Sequence, residues 1–556
     1  MYAYSVTNTL WVLFGTVLIF FMQAGFALLE SGFTRAKNAG NIVMKNIVDF
    51  CIAAPVFGLV GFWIMYGGTG VIHVENGVLA NGIPFFVFVV FQMCFCGTSA
   101  TIVSGAMAER TKFSAYCVSS AIVSLLVYPL CGRLIWGQGF LHQLGYHDFA
   151  GGSVVHIVGG TTALVGAYVL GPRIGKYTKE GKSRAIPGHN LTLAALGMFI
   201  LWFGWFGFNG ASTQGIDSLE LGIKAGKIFT GTTLAAALSA LSAMTYTWIR
   251  YKKPDVSVTI NGAVAGLVSV TAGCDVLTPV GAAITGICAG VFMALGNEFI
   301  DKKLHVDDPV GAVGVHGAGG LLGILMTGLL SQENGLFYGG GIRPFLIQLL
   351  GAVCVMTISG LLMLAAFKII QNTMGLRVPT KEEIAGLDKL EHGLASAYDG
   401  FLSVNDSHGY MPAENRTYDN STILEAQLKT SEDPTVSDSP ITKVEIIMKQ
   451  SKFEELKQEL NQIGITGITV SQVMGCGMQK GSEEYYRGSS IEMQLLPKIK
   501  VEVVVAKVPV KEVVDTAKRV LYTGHVGDGK IFIYKVNNVI KVRTGEEGYD
   551  AMQNDD

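Results

Sequence analysis

The chain of 556 residues is short of charge. Lys, Arg, Asp and Glu make up 15% of it, where an ordinary soluble domain carries about a quarter. That shortage argues against an all-soluble protein, and a mean hydropathy of +0.42 agrees. A net charge of −2 gives nucleic acid no basic footprint to bind. The nine cysteines contain no CxxC pair, so neither a zinc site nor a disulfide framework is expected. Eight of them fall in or beside apolar runs and read as small buried hydrophobes. The 70 glycines follow no collagen period and accompany no Ser/Gln low complexity, which argues against a fibre and against wholesale disorder. No Lys or Arg precedes the first apolar run, and no small-residue cleavage site follows it. It therefore reads as a membrane span and not as a signal peptide.

Long apolar runs dominate residues 1–370, whereas 371–556 carry charge throughout. A spanning helix needs roughly 20 apolar residues. Eleven candidates occur, at about 9–30, 47–66, 85–107, 113–136, 153–171, 191–210, 228–249, 259–274, 279–299, 311–331 and 345–369. The odd-numbered loops between them hold 15 basic residues and the even-numbered loops 3. That alternation predicts an N-terminus outside and the C-terminal part in the cytoplasm.

An internal repeat follows. His156 precedes Gly159-Gly160 by three residues, and His316 precedes Gly319-Gly320 by the same spacing. The copies sit 160 residues and five spans apart. Five is odd, so the second copy is inverted, and inverted repeats place their site at the repeat interface near the midplane. A lone intramembrane histidine can be a packing residue. Two at matching positions, flanked by glycines that let helices close up, point to a narrow lumen. Neutral imidazoles can share a proton and guide a small polar solute. They cannot replace the hydration shell of a metal cation as a ring of carbonyls does.

Several stretches carry a family resemblance: Leu29–Phe33 with Arg35–Asn38, Gly105–Arg110, Asp148–His156, Gly204–Asn209, and Val306–Pro309 before Gly314–Gly317. Together they resemble the Amt/Mep/Rh ammonium transporters over residues 5–400. The resemblance implies an all-α polytopic membrane protein with eleven transmembrane helices in an inverted five-helix repeat. It also assigns roles. Phe95, Trp136 and Ser212 match an outer recruitment site, where aromatic faces attract NH4+. Phe91 and Phe208 match two stacked pore-blocking rings, His156 and His316 the twin-histidine pore, and Asp148 an acid that orders the site. Two positions depart from the pattern: Arg133 stands where many relatives carry histidine, and Gly311 where relatives often carry an acid.

Residues 371–400 resemble the family's cytoplasmic tail, and 401–440, rich in Ser, Thr, Asp and Asn, read as a flexible linker. In 441–556 the pattern gives strands at 443–448, 465–474, 498–505 and 531–536, with helices at 453–463 and 510–521. That order predicts an α+β ferredoxin-like fold, with a long loop at 475–496 of the kind that is usually functional. Gly475–Gly481, Tyr486–Gly488, Leu496–Lys500, Thr523–Lys530 and Arg543–Glu547 resemble the PII signalling proteins. Gly527, Gly529 and Lys530 suit a phosphate cradle of bare N–H groups and one cation. The resemblance adds Gly475, Gly477, Asp528, Lys541 and Arg543 to a site for ATP or ADP. It assigns Gln479, Lys480 and Lys498 to 2-oxoglutarate, with Gln479 also ligating Mg2+, and Arg487 to the tip of a pore-blocking loop. Here too there are departures: Ile491 replaces a modifiable tyrosine and Met478 an arginine.

Both resemblances imply a homotrimer. The expectation is an ammonium/ammonia transporter of the cell membrane, multi-pass in the lipid bilayer, gated by its own cytoplasmic PII domain. An ammonium sensor with little flux is the alternative. No nucleophile–base set occurs in the membrane half and the PII module resembles binding proteins, so no enzyme is expected.

Overall fold

The computed structural model of the chain describes residues 2–394, 397, 441–475, 483–486, 489–492, 496–524 and 527–552. It divides into two compact units, with the boundary between residues 399 and 400. The tether expected at 401–440 lies outside the described residues.

The first unit is helical. Ten segments are long and apolar enough to cross a membrane: α1 Val6–Phe33, α2 Ala36–Tyr66, α3 Phe85–Ala106, α4 Phe113–Leu144, α5 Gly152–Leu170, α6 Leu191–Thr213, α7 Leu219–Tyr251, α9 Pro279–Lys302, α10 Val313–Leu330 and α11 Ile342–Thr373. The eighth predicted run forms a shorter apolar helix, α8 Val256–Thr271. Side-chain caps start several of them. Ser5 accepts from the Asn8 N–H, Asn190 from Leu193, Ser218 from Leu221, Asp255 from Val258 and Thr278 from Gly281. Each satisfies a backbone donor that the helix cannot. Large apolar side chains such as Phe20, Phe86, Phe199 and Leu361 face outward, as a hydrocarbon solvent requires. The second segment begins earlier than its apolar run suggests, so Lys45 lies inside α2 and is fully buried; it does not belong to the first loop.

α5 and α10 cross where Gly160 meets Gly317. A Cβ on Gly160 would lie 2.3 Å from the Gly317 nitrogen, so the second glycine after His156 is what lets the two backbones touch. Both helices open with a π-helical turn, Gly152–Ile157 and Val313–Ala318, and each turn holds one of the two histidines. Such widened turns are rare and cluster at functional sites.

Residues after α11 fold back onto this same unit through α12 Thr380–Ala385 and α13 Leu387–His392. Asp388 accepts from the Gly40 and Asn41 N–H groups at the start of α2, and Glu383 accepts from Arg377 and Ile174. Beside them a buried ion cluster joins Arg35, Glu109, Arg173 and Asp307. Burial alone would raise the Asp307 carboxyl; its bonds to Arg173 and the charges of Arg110 and Arg173 outweigh that and hold it well below the ordinary carboxylate range.

The second unit is a four-stranded antiparallel sheet of β1 Thr442–Met448, β2 Thr469–Gly475, β5 Leu496–Val505 and β6 Gly529–Lys535, in the order β2-β5-β1-β6. Helices α14 Phe453–Gln462 and α15 Val510–Leu521 join β1 to β2 and β5 to β6. Val444, Ile446 and Met448 alternate into the core with Leu456, Leu460, Val501, Val503, Val513 and Ala517, the period-two pattern of a half-covered sheet. The long loop read at 475–496 contains a short hairpin, β3 Glu483–Tyr486 with β4 Ser489–Glu492.

Candidate functional site

A file of rings runs through the middle of the helical unit. The Phe95 and Phe208 centroids lie 4.3 Å apart. Phe208 stacks on His156 at 5.5 Å, His156 on His316 at 5.3 Å, and His316 lies 6.0 Å from Phe26. The two Nδ1 atoms of the histidines approach to 3.2 Å, so one donates to the other. Both rings are buried, and the Trp205 indole packs flat against His156 at 5.2 Å. The Nε2 of His156 has no hydrogen-bond partner among the described residues. A buried polar nitrogen left open in this way costs free energy unless a solute or water meets it.

Outside this file is a cavity of about 550 Å³ whose wall includes Phe91, Phe95, Trp136, Asp148 and Ser212. The Trp136 Nε1–H is spent on the Asp148 carbonyl at 2.7 Å, which fixes the indole. The Ser212 hydroxyl donates to the Phe208 carbonyl at 2.7 Å. With its proton committed, the Ser212 oxygen is left as an acceptor, the polarity a cation with N–H donors needs. The resemblance pairs Phe91 with Phe208 as the stacked rings. The structure corrects that pairing: the ring on Phe208 is Phe95, and Phe91 lies one turn outward, 4.9 Å from Phe95. Four residues apart, both phenylalanines lie on one face of α3, and only the height of Phe208 distinguishes them.

Asp148 positions its histidine through backbone. Its carboxylate accepts from Gly151, Gly152, Ser153 and Val154 at 2.7–3.0 Å. That holds the π turn and sets where His156 emerges. Asp308 does the same in the other copy, accepting from Val310, Gly311 and Val313 at 2.7–3.3 Å. Sequence reading did not single out Asp308, although the signal was present: each aspartate precedes its histidine by eight residues. Of the departing residues, Arg133 turns its guanidinium onto the Ile64 and Gly67 carbonyls at the end of α2. Gly311 has φ +79°, and a Cβ there would meet Asn261 Nδ2 at 2.7 Å, so an acidic side chain would not fit in this conformation.

In the second unit, Lys498 Nζ donates to the Gly527 carbonyl at 3.2 Å, and Lys449 reaches Asp528 at 3.5 Å. Burial and the neighbouring Lys449 charge push the Lys498 ammonium below its ordinary value. Asp528 accepts from the Thr523 N–H at 2.7 Å. Gly527 and Gly529 have φ +102° and +135°, and a Cβ on Gly529 would strike the Ile447 carbonyl at 2.4 Å. Two lysines beside a left-handed glycine turn fit a phosphate anion. Lys449 was missed because it lies on a strand end with no motif of its own. Lys530 is paired in register with Ile447. Lys541 and Arg543 lie in a further turn, closed by the Gly545 N–H on the Lys541 carbonyl at 2.8 Å. Gly475 ends β2. Gly477, Gln479, Lys480 and Arg487 lie outside the described residues.

The profile of the Ammonium Transporter Family matches residues 10–398, and that of the nitrogen regulatory protein P-II matches 441–546. An ammonium transporter Amt2 of Archaeoglobus fulgidus is 42% identical, over 70% of this chain and 88% of that protein. A putative ammonium transporter of Synechocystis is 38% identical, over 69% and 88%. Among solved structures, a sensor Amt protein aligns at TM-score 0.65 and 36% identity, over 69% of this chain and 98% of its own. Candida albicans Mep2 aligns at TM-score 0.61 and 26% identity, over 68% and 87%.

Proposed function

The chain belongs to the ammonium transporter family and carries a P-II nitrogen regulatory region after it; on that premise we propose that it moves ammonium through the histidine file under control of the P-II unit. The observation that carries this reading is the buried His156–His316 pair at 3.2 Å, with an open nitrogen and an aromatic cavity above it.

NH4+ enters the outer cavity, where the faces of Phe91 and Trp136 attract its charge and the Ser212 oxygen accepts one of its protons in a hydrogen bond. Phe95 and Phe208 close the floor. A bare cation pays heavily to pass two stacked rings into a dry lumen, whereas neutral NH3 does not. The proton is therefore given up at this level to water of the outer cavity, and NH3 passes from imidazole to imidazole. K+ has no proton to release, so the same floor rejects it.

With α8 counted as an eleventh span, the N-terminus would lie outside and the P-II unit in the cytoplasm, a reading that the loop charges support. The two histidine helices then run in opposite directions, as an inverted repeat demands. In the P-II unit the order β2-β5-β1-β6 with two crossing helices supports a ferredoxin-like fold. The turn 527–530 with Lys449 and Lys498 would hold the phosphates of ATP or ADP, and Gln479, Lys480 and Lys498 would take 2-oxoglutarate with Mg2+. Arg487 would carry the loop that closes the pore. β6 is an edge strand whose Phe532, Ile533 and Tyr534 side chains are exposed on its two faces, apolar surface that further copies would cover in a trimer.

A second reading, an ammonium sensor with little flux, is favoured by the likeness to the sensor Amt protein, which this chain covers almost from end to end. Reconstituted full-length chain separates the two. The transport reading expects saturable ammonium-driven flux with none for K+, changing with ATP, ADP and 2-oxoglutarate. Ligand-dependent P-II changes without flux would establish the sensor instead.

A further inference from the structure

Below the histidine pair a second, very small space opens. It holds about 20 Å³, enough for one water-sized molecule, and ammonia or ammonium is of that size. Its wall is mostly apolar, from Phe26, Leu201, Val264 and Val315, but it includes three polar residues: Glu30, Asn261 and His316. Glu30 belongs to the Leu29–Phe33 motif, and nothing in the mechanism above uses it.

Glu30 is 2% exposed, inside α1. A carboxylate at that depth needs a cation or a proton. The groups beside it are neutral: the Asn46 amide donates at 3.2 Å, and the Ser104 hydroxyl is its other polar neighbour. Among the described residues no Lys or Arg forms an ion pair with it. The buried lysine of α2, Lys45, makes no hydrogen bond and rests over the Tyr116 ring at 4.9 Å; its charge acts on Glu30 only from beyond ion-pair distance. The other two polar groups offer acceptors. Asn261 donates its Nδ2–H to the Val310 carbonyl at 2.9 Å, which leaves Oδ1. His316 shares Nδ1 with His156, and when it is the donor of that pair its Nε2 is left as an acceptor.

We infer that Glu30, Asn261 and His316 form an inner site for an ammonium-type cation, on the side of the histidine pair away from the outer cavity. The inference rests on the transport reading for its supply of ammonia. Ammonia leaving His316 forms an N–H bond as the Glu30 O–H bond breaks. The resulting NH4+ sits against the carboxylate, then leaves for the inner solution, and a hydronium ion from that side returns the proton to Glu30. The site thus recharges the cargo and keeps it from running back through the lumen as the neutral molecule.

The test uses full-length chain in lipid vesicles. Infrared difference spectra are taken between ammonium and potassium chloride, with ammonium flux measured on the same preparations. Wild type is expected to show a carboxyl band that responds to ammonium. Glu30→Gln keeps the shape and the Asn46 contact; it should lose that band and lower flux roughly tenfold or more, the loss of a charged hydrogen bond. Glu30→Asp should keep a shifted band and recover part of the flux. An ammonium-responsive band unchanged in Glu30→Gln overturns the site, whether or not flux falls. Should Glu30→Gln not fold, Asn261→Ala carries the test: the band must weaken, and an unaltered band overturns the proposal. Absence of flux in wild type would count against the transport reading alone, because the band reports the site independently.

Discussion

Replacing Asp148 with asparagine isolates the force that places His156. The carboxylate accepts four backbone N–H bonds from residues 151–154 and is 5% exposed. An asparagine keeps one acceptor oxygen and turns an NH2 toward the remaining donors. Two charge-assisted bonds are lost, each worth about 1.5–3 kcal/mol, and two buried N–H groups are left unpaired. The expected cost is therefore roughly 3–6 kcal/mol, enough to unwind the π turn even if the helix beyond it survives. Thermal unfolding in detergent should show a clear fall in midpoint, and vesicle flux should drop at least tenfold. Asp308→Asn, with three contacts, should behave the same way. Glutamate at 148 keeps the charge but not the reach, and should rescue neither. Wild-type flux together with a wild-type unfolding midpoint in Asp148→Asn would refute the view that backbone capping positions the histidine.

Other outcomes follow from the same geometry. Phe95→Ala should open the floor and raise leak of K+ or protons, at a stability cost of about 3–5 kcal/mol, whereas Phe91→Ala should weaken ammonium capture without leak; ion currents in planar bilayers distinguish them. His147 borders the outer cavity and bonds to Asp275 at 2.8 Å. Burial lowers its pKa, but the hydrogen bond and charge of Asp275 outweigh that and raise it above the ordinary 6.5. Protonated His147 opposes a cation, so ammonium affinity should fall as pH drops through that raised value. Asp275→Asn should move the inflection to lower pH, which a flux titration measures. The stability from this pair runs the other way: it is full below pH 6.5 and is lost as pH rises through the folded pKa. In the P-II unit, Lys498→Ala should weaken ATP or ADP binding roughly tenfold by calorimetry on the full chain, while Lys535→Ala, on the exposed edge strand, should leave it unchanged.

Much of this architecture is legible in the sequence. Apolar runs of helical length mark the spans, and the paired histidines with their glycines mark where α5 and α10 meet. The βαββαβ alternation marks the second unit because its strands bury every other residue, as Val444, Ile446 and Met448 do. What stays hidden depends on three-dimensional register. Phe91 and Phe95 share a helix face, so no pattern could tell which meets Phe208. The carbonyls that absorb Arg133 come from the end of another helix. The start of α2 is obscured because Lys45 is polar in sequence yet buried in the fold. Asp308 is the readable omission, since its eight-residue spacing to His316 repeats that of Asp148 to His156.

The central claim is that the His156–His316 pair touches the travelling molecule. Ammonium and potassium currents through vesicles carrying wild type, His156→Ala and His316→Ala measure it most directly. The account predicts ammonium flux with K+ refused in wild type, and loss of that flux or of its selectivity in both variants. Undiminished ammonium flux with unchanged refusal of K+ in either variant would contradict it.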